Sequence, residues 1–396
     1  MKPPIAPATP ELEQAILASP FTGLGLAQPL VRAVLEEQYT QPSPVQVEVI
    51  PHVLAGRDML ACAQTGTGKT AAFVLPILQR LAAAPPGPSR ALILAPTREL
   101  AAQIAERVSA YGRHLRIGHA VIYGGVNQHR QEVALRAAPA ILVATPGRFL
   151  DLIGQRLVRL DAVTHFVLDE ADRMLDMGFV HDVRRVVALL PTARQTLLFS
   201  ATMPPAVESL ARGMLRDTVR VSLAPKVTTA DTVDQSVVFV AKAEKRNLLQ
   251  GMLSSEKLQR TLVFTRTKHG ANRLSEQLDR AGIGSLALHG NKTQSARERA
   301  LEAFRQGTTP VLVATDIAAR GIAVGGISLV VNFDLPNVAE SYVHRVGRTG
   351  RAGAAGRAIS FCDSDERGLL VDIERYIRRR IRVSVANDVL RGSSYA

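Results

Sequence analysis

Two α/β domains, each built on a parallel sheet covered by helices, are what this sequence predicts, on three observations. At 396 residues the chain is longer than a single hydrophobic core usually fills. Short aliphatic and β-branched runs alternate with helical stretches from end to end, the pattern of strand–helix–strand units. A glycine-rich turn between such a run and a helix, Ala63-Gln64-Thr65-Gly66-Thr67-Gly68-Lys69-Thr70, occurs in the first series of runs and not in the second.

Taken in order, residues 1–20 are rich in Pro and Ala and carry both charge signs, with no basic start leading into an apolar segment. They read as a disordered leader and not as a signal peptide. The first domain, 21–223, has strands expected at Met59–Cys62, Ala91–Ala95, His119–Tyr123, Ile141–Ala144, Phe166–Leu168, Thr196–Phe199 and Val219–Leu223. Between the first two, a helix over Lys69–Ala84 should be kinked by Pro76 and stopped by Pro85-Pro86-Gly87-Pro88. Residues 224–234 contain Pro225 and a Thr/Asp run without periodicity, and read as a linker. The second domain, 235–384, has strands expected at Val237–Val240, Thr261–Phe264, Ser285–Leu288, Val311–Ala314, Leu329–Phe333 and Ala358–Phe361. A last helix over Asp365–Arg380 ends in an arginine cluster, and 385–396 form a short tail.

Composition narrows the function classes. No apolar run approaches the roughly 20 residues of a membrane span. The two cysteines, Cys62 and Cys362, fall one in each half, which excludes a disulfide framework or a zinc site and fits a reducing cytoplasm. The net charge of +13 suits a polyanionic partner, although an arginine-rich composition alone would also produce it. Aromatic residues make up 4% of the chain and Trp is absent. Single-strand binders that hold bases stack them on aromatic platforms. A nucleic-acid grip here should therefore fall on the backbone and be nearly blind to sequence.

The chemistry-bearing residues come in a pair of motifs. In the glycine-rich turn, backbone N–H groups can approach phosphates, Lys69 can neutralise β/γ charge, and the Thr70 hydroxyl can ligate Mg²⁺. Ala63 stands where the strict pattern has Gly. Further on, Asp169-Glu170-Ala171-Asp172 follows the apolar run Phe166-Val167-Leu168. Asp169 there reads as the Mg²⁺ carboxylate, and Glu170 as the base that orients or deprotonates water. Asp172 alone could be an acidic helix start. Cradle and carboxylates together predict hydrolysis of a nucleotide.

From Phe21 to about Ile381 the ordered motifs resemble the DEAD-box family of ATP-dependent RNA helicases, most closely its bacterial RhlE-type members. The resemblance implies two tandem RecA-like domains. Phe21 and the stretch Tyr39-Thr40-Gln41-Pro42-Ser43-Pro44-Val45-Gln46 look like the adenine-reading element, with Gln46 on the base edge and Phe21 against the ring; Gln38 stands where the family usually has Gly. Thr65, Gly66, Thr67, Gly68, Lys69 and Thr70 would hold the phosphates. Pro96-Thr97-Arg98, Gly124-Gly125 and Thr145-Pro146-Gly147-Arg148 match loops that hold the RNA backbone in the family, as do Arg266, Gly290, Gln294, Arg297 and Thr315 in the second domain. Ser200-Ala201-Thr202 resembles the element coupling ATP to RNA, with hydroxyls able to bond Asp172.

His344-Arg345-Val346-Gly347-Arg348-Thr349-Gly350-Arg351 matches the arginine-finger segment. Arg348 and Arg351 would reach the γ-phosphate, and His344 the Asp169–Asp172 loop. Ala323 replaces the Asp that the family places against the ATP ribose. The resemblance implies RNA-stimulated ATP hydrolysis, with ATP and Mg²⁺ bound, that locally unwinds RNA by closure of two domains. It implies a cytoplasmic monomer and leaves ribosome assembly and RNA decay open as settings. A DNA translocase is disfavoured by the Gln46 segment; an ATP-gated RNA clamp is the alternative.

Overall fold

The computed structural model describes residues 9–63, 66–223, 233–255, 260–319, 326–350 and 356–386. The chain divides into two compact units, Met1–Pro225 and Lys226–Ala396. In the first, β1 Met59–Cys62, β2 Ala91–Leu94, β3 His119–Ile122, β4 Ile141–Ala144, β5 His165–Leu168, β6 Gln195–Ser200 and β7 Val219–Ser222 form one sheet in the order β3-β4-β2-β5-β6-β1-β7. In the second, β8 Val233–Phe239, β9 Thr261–Phe264, β10 Ser285–Leu288, β11 Val311–Ala314, β12 Leu329–Asn332, β13 Gly356–Cys362 and β14 Arg382–Val383 form another, ordered β10-β11-β9-β12-β13-β8-β14. Every pairing in both sheets is parallel. The α/β class with two parallel sheets is what the sequence predicts.

Successive strand residues feed opposite faces, and both faces are covered. Met59, Ala61, Ala91, Ile93, Ile141 and Val143 pack in one core, while Leu60, Leu92, Leu94, Leu142 and Ala144 pack in the other. A strand buried on both sides has no polar face to alternate with, so its sequence is a continuous apolar run. The second sheet is covered in the same way by two cores. The helix Lys69–Ala83 carries Pro76 inside it and is buried along most of its length. Arg80 near its end donates to His165 Nε2 at 2.9 Å and to the Leu54 carbonyl at 2.9 Å, tying the helix to β5.

The structure departs from expectation at the edges of each unit. The leader is helical over Pro10–Ala18: Thr9 caps it, Pro10 starts it, Glu11 and Glu13 occupy the first turn, and Ile16 is buried. The expected linker lies outside the described residues as far as 232, and its last two residues, Val233 and Asp234, already belong to β8. The last helix runs only over Arg367–Ile377, because Arg378 turns left-handed at φ 55° and ends it. The strand β14, two exposed residues without a hydrophobic pattern, adds to the sheet edge beside Ser236 and Val237. Cys62 and Cys362 are both free thiols. Among the described residues, no helix is long and apolar enough to cross a membrane.

Candidate functional site

Parallel strands put all their C-terminal ends on one rim of the sheet, where ligands of open α/β sheets bind. In the first unit the strand order divides this rim. Neighbours β5, β6 and β1 carry Asp169-Glu170, Ser200-Ala201-Thr202 and the glycine-rich turn. Neighbours β3, β4 and β2 carry Gly124-Gly125, Thr145–Arg148 and Pro96-Thr97-Arg98. The nucleotide-type motifs thus occupy one half and the RNA-type loops the other. The halves meet where the Asp169 N–H donates to the Leu94 carbonyl at 3.0 Å, across the β2–β5 pair.

In the nucleotide half, Gly66 and Gly68 hold φ at +87° and +95°, which a side chain would make costly. A Cβ at Gly68 would also lie 2.5 Å from Gln46 Nε2 and 2.8 Å from Ser43 Oγ. Lys69 is buried and donates to the Ala63 carbonyl at 2.7 Å. Thr70 follows it in the first turn of the helix, and Thr67 precedes Gly68 in the turn. Gln46 is 2% exposed; its Oε1 accepts from the Ser43 N–H at 2.9 Å and its Nε2 donates to the Gly68 carbonyl at 3.2 Å. Both ends of the amide are thus engaged, one of them by the turn itself. Phe21, 1% exposed, packs into the core of this unit. Thr65 lies outside the described residues.

Asp169 is buried, and its Oδ1 accepts the Glu170 N–H at 2.9 Å. Burial pushes its carboxyl up to about 7; the Lys69 ammonium pulls the other way, and the Glu170 charge adds to the rise. A buried carboxylate that resists ionisation favours a cation beside it. With the Thr70 hydroxyl on the same half-rim, the donor set is hard oxygen, which fits Mg²⁺; Asp169 and Thr70 are the residues that would hold it. Glu170 sits at φ 52°, ψ 55°, a left-handed conformation costly for a non-glycine residue and often found at functional positions. Arg173 Nη1 reaches its Oε2 at 2.6 Å, and the two side chains are 6% and 10% exposed.

Asp172 ties this segment to the β6 end. Its N–H donates to Ser200 Oγ at 3.2 Å. Its Oδ2 accepts from the Ala201 N–H at 3.2 Å, the Thr202 N–H at 2.9 Å and the Thr202 hydroxyl at 3.0 Å. A carboxylate holding three donors fixes the relation between two strand ends.

In the RNA-type half, Thr97 Oγ1 caps the helix Arg98–Tyr111 by accepting the Leu100 N–H, and Pro96 before it is buried. Gly125 is exposed at φ +79°, and a Cβ there would overlap the Arg98 guanidinium, which also lies 3.6 Å from a Cβ at Gly124. Thr145 and Pro146 start the helix Pro146–Gly154, with Gly147 exposed and Arg148 3.4 Å from Asp151.

The second unit repeats the arrangement on β9, β10 and β11. Arg266 follows β9; Gly290 follows β10; Thr315 follows β11, with its N–H on the Leu288 carbonyl at 3.2 Å. Gln294 and Arg297 lie in the first turn of the helix Gln294–Gln306, and Gln294 Nε2 donates to Glu298 at 3.0 Å. Arg266 is turned partly inward, donating to Glu366 at 2.5 Å and to the Leu335 carbonyl at 3.2 Å. Arg345 is 1% exposed: it pairs with Asp316, donates to Asn332 Oδ1 and the Asp334 carbonyl, and lies over the Phe264 ring. It is a core anchor; Arg348, also buried, donates through its Nε to the His344 carbonyl at 3.3 Å. Arg351 and Ala323 lie outside the described residues. Sequence reading missed Arg173 and the anchoring part of Arg345; the three-residue spacing of Glu170 and Arg173 was the available signal for the first.

Residues 43–210 match the DEAD/DEAH box helicase family model, and residues 244–353 match the helicase conserved C-terminal domain. The chain is 45% identical over 374 residues to the ATP-dependent RNA helicase DeaD of Escherichia coli K12, covering 94% of this chain and 59% of that protein. It therefore spans less than two thirds of that relative. It is 43% identical over 368 residues to the RNA helicase CrhR of Synechocystis, covering 93% of this chain and 74% of the relative. The structure of S. cerevisiae Dbp5 bound to RNA and ADP BeF3 superposes with a TM-score of 0.84 at 34% identity, over 93% of this chain and 96% of that one. With both sheets, the ordered motifs and these relatives in agreement, the chain belongs to the DEAD-box family of RNA helicases.

Proposed function

We propose that the chain hydrolyses ATP in an RNA-stimulated manner and uses the cycle to separate short RNA duplexes or remodel RNA–protein complexes. The observation that carries this reading is the divided rim of the first unit, with Lys69, Asp169 and Glu170 on one half and the backbone-type loops on the other. Lys69 holds β/γ-phosphate charge, and the turn's N–H groups cradle the phosphates. Mg²⁺ held by Asp169 and Thr70 supplies charge neutralisation at the phosphates when bound. Glu170 orients the attacking water and takes its proton. Gln46 reads adenine after releasing the contacts it makes here, with Phe21 bearing on the base from behind. Asp172, Ser200, Thr202 and His344 couple nucleotide state to RNA. Arg348 and Arg351 stabilise transition-state charge when the two units close on ATP and RNA.

RNA is held by its backbone through Pro96, Thr97, Arg98, Gly124, Gly125, Thr145, Pro146, Gly147, Arg148, Arg266, Gly290, Gln294, Arg297 and Thr315. The domain limits, with a linker ending before β8, a monomeric state and a cytoplasmic setting among ribosome-assembly or RNA-decay partners belong to the same reading. What supports a bacterial placement is the likeness to DeaD and CrhR. Those relatives carry names other than RhlE, so the finer RhlE-type assignment rests on motif resemblance. The test is the ATPase rate alone, with single-stranded RNA and with DNA of equal length. A rise confined to RNA is expected; equal stimulation by DNA overturns the RNA reading, and no turnover in any arm overturns the hydrolytic one.

A further inference from the structure

The Glu170–Arg173 pair has no part in the mechanism above, yet at 2.6 Å it is the shortest ion pair among the described residues on the nucleotide half of the rim. An exposed pair three residues apart on a helix contributes a few tenths of a kcal/mol and fixes little. This one is buried on both sides, so the carboxylate has few other directions in which to be solvated. It also sits on a residue whose backbone is already constrained. Glu170 is left-handed at the N-terminal cap of the short helix Ala171–Asp176, and its N–H is committed to Asp169 Oδ1. The backbone bond orients Asp169 and the side-chain bond orients Glu170. Geometry therefore passes from Arg173 to Glu170 to Asp169.

We infer that Arg173 is a positioning residue, holding the Glu170 carboxylate at the angle from which it meets the attacking water. This rests on the reading of Glu170 as the base. Arg173 acts through Glu170 and not on nucleotide or water itself. Reacting groups displaced by about 1 Å lose on the order of a hundredfold in rate. Loss of the guanidinium should therefore appear in turnover and not in ATP affinity.

The experiment compares Arg173→Gln, Arg173→Lys, Glu170→Gln and the double variant Glu170→Gln/Arg173→Gln. It reads kcat and KM with saturating RNA, and binding of a fluorescent ATP analogue in a separate titration. Arg173→Gln is expected to lower kcat by roughly ten- to a hundredfold with analogue affinity within about threefold. Arg173→Lys, which keeps the charge, should recover part of kcat. Within the Glu170→Gln background, adding Arg173→Gln should change the residual rate less than about twofold, because its target is already gone. Parental kcat in Arg173→Gln, a loss carried in KM and analogue affinity, or additive losses in the double variant would each overturn the proposal. If Arg173→Gln melts below assay temperature, Arg173→Met, which keeps the buried stem, carries the same comparison. Parental turnover in Glu170→Gln alone sinks the base reading instead, so the two failures are told apart.

Discussion

Gln38 occupies a left-handed conformation, φ 63°, just after the helix Gln28–Glu36, with its N–H on the Leu35 carbonyl. The family resemblance placed glycine there, and the backbone shows why: a β-carbon in this region costs about 1–2 kcal/mol. Glycine removes that cost and returns part of it as unfolded-state entropy. Gln38→Gly should therefore raise stability by about 0.5–1 kcal/mol, read as a higher denaturation midpoint with an unchanged m-value; a lower midpoint would show that the Gln38 side chain contributes contacts. At this scale the sequence disclosed residue types better than their partners. Gln46 stood out in its motif as an amide proposed to read adenine. Its hold on Ser43 and Gly68 was not, because a side-chain rotamer is settled by tertiary neighbours. Arg345 shows the same limit. In the sequence it is one more arginine of the finger segment, whereas Asp316 and Asn332, away from that segment, draw it into the core.

Among the elements, strands were the most legible, since burial on both faces leaves runs such as Ile141–Ala144 with no other reading. Helix ends were less so. The helix Pro10–Ala18 is short and capped by local residues, and the Ala/Pro-rich composition around it masked a signal of Thr, Pro and two Glu. The strand β14 carries no signal, since two exposed residues join an edge through backbone bonds alone. The Gly124-Gly125 loop makes a testable element with Arg98. In Gly125→Ala the added methyl meets the guanidinium, so Arg98 must leave its seat. A charge-assisted bond is worth about 1.5–3 kcal/mol, and RNA affinity should fall about tenfold, read by fluorescence anisotropy. In an Arg98→Ala background the same change should cost less, leaving only the backbone strain of a side chain at φ +79°.

The link between the helix Lys69–Ala83 and β5 predicts a pH effect. His165 is buried and accepts from Arg80, and its Nδ1 lies 2.9 Å from Thr164 Oγ1. Burial, with the Arg80 and Arg90 charges, pulls its pKa from 6.5 down to about 4. The folded state thus keeps this ring neutral where the unfolded chain protonates it. The unfolded state binds more protons below pH 6.5, so stability is lost as pH falls from there towards 4. Between pH 7 and 5 the loss from this group is about 2 kcal/mol. Denaturant midpoints across that range should drop more in the parent than in His165→Gln; parallel curves would show that the ring is not the source.

For the whole molecule, the +13 charge and scarce aromatics set the character expected of the proposed RNA binding. Affinity for unrelated single strands of equal length should differ little and fall steeply with salt, because each phosphate contact releases counterions. Titrations at several salt concentrations check this; a flat response or a strong preference for one sequence would reveal base readout.

The order β3-β4-β2-β5-β6-β1-β7 has a further consequence. The three loops on β3, β4 and β2 hang from neighbouring strands, while Lys69, Asp169 and Glu170, proposed for hydrolysis, follow β1 and β5 across the seam. They can be exchanged as a block, with the grip on a strand altered and the reacting groups left in place. If these loops grip RNA as proposed, changes in that grip can accumulate on one side of the β2–β5 seam while the groups proposed for hydrolysis on the other side stay fixed. The Asp169 N–H on the Leu94 carbonyl is the stitch such an exchange must preserve.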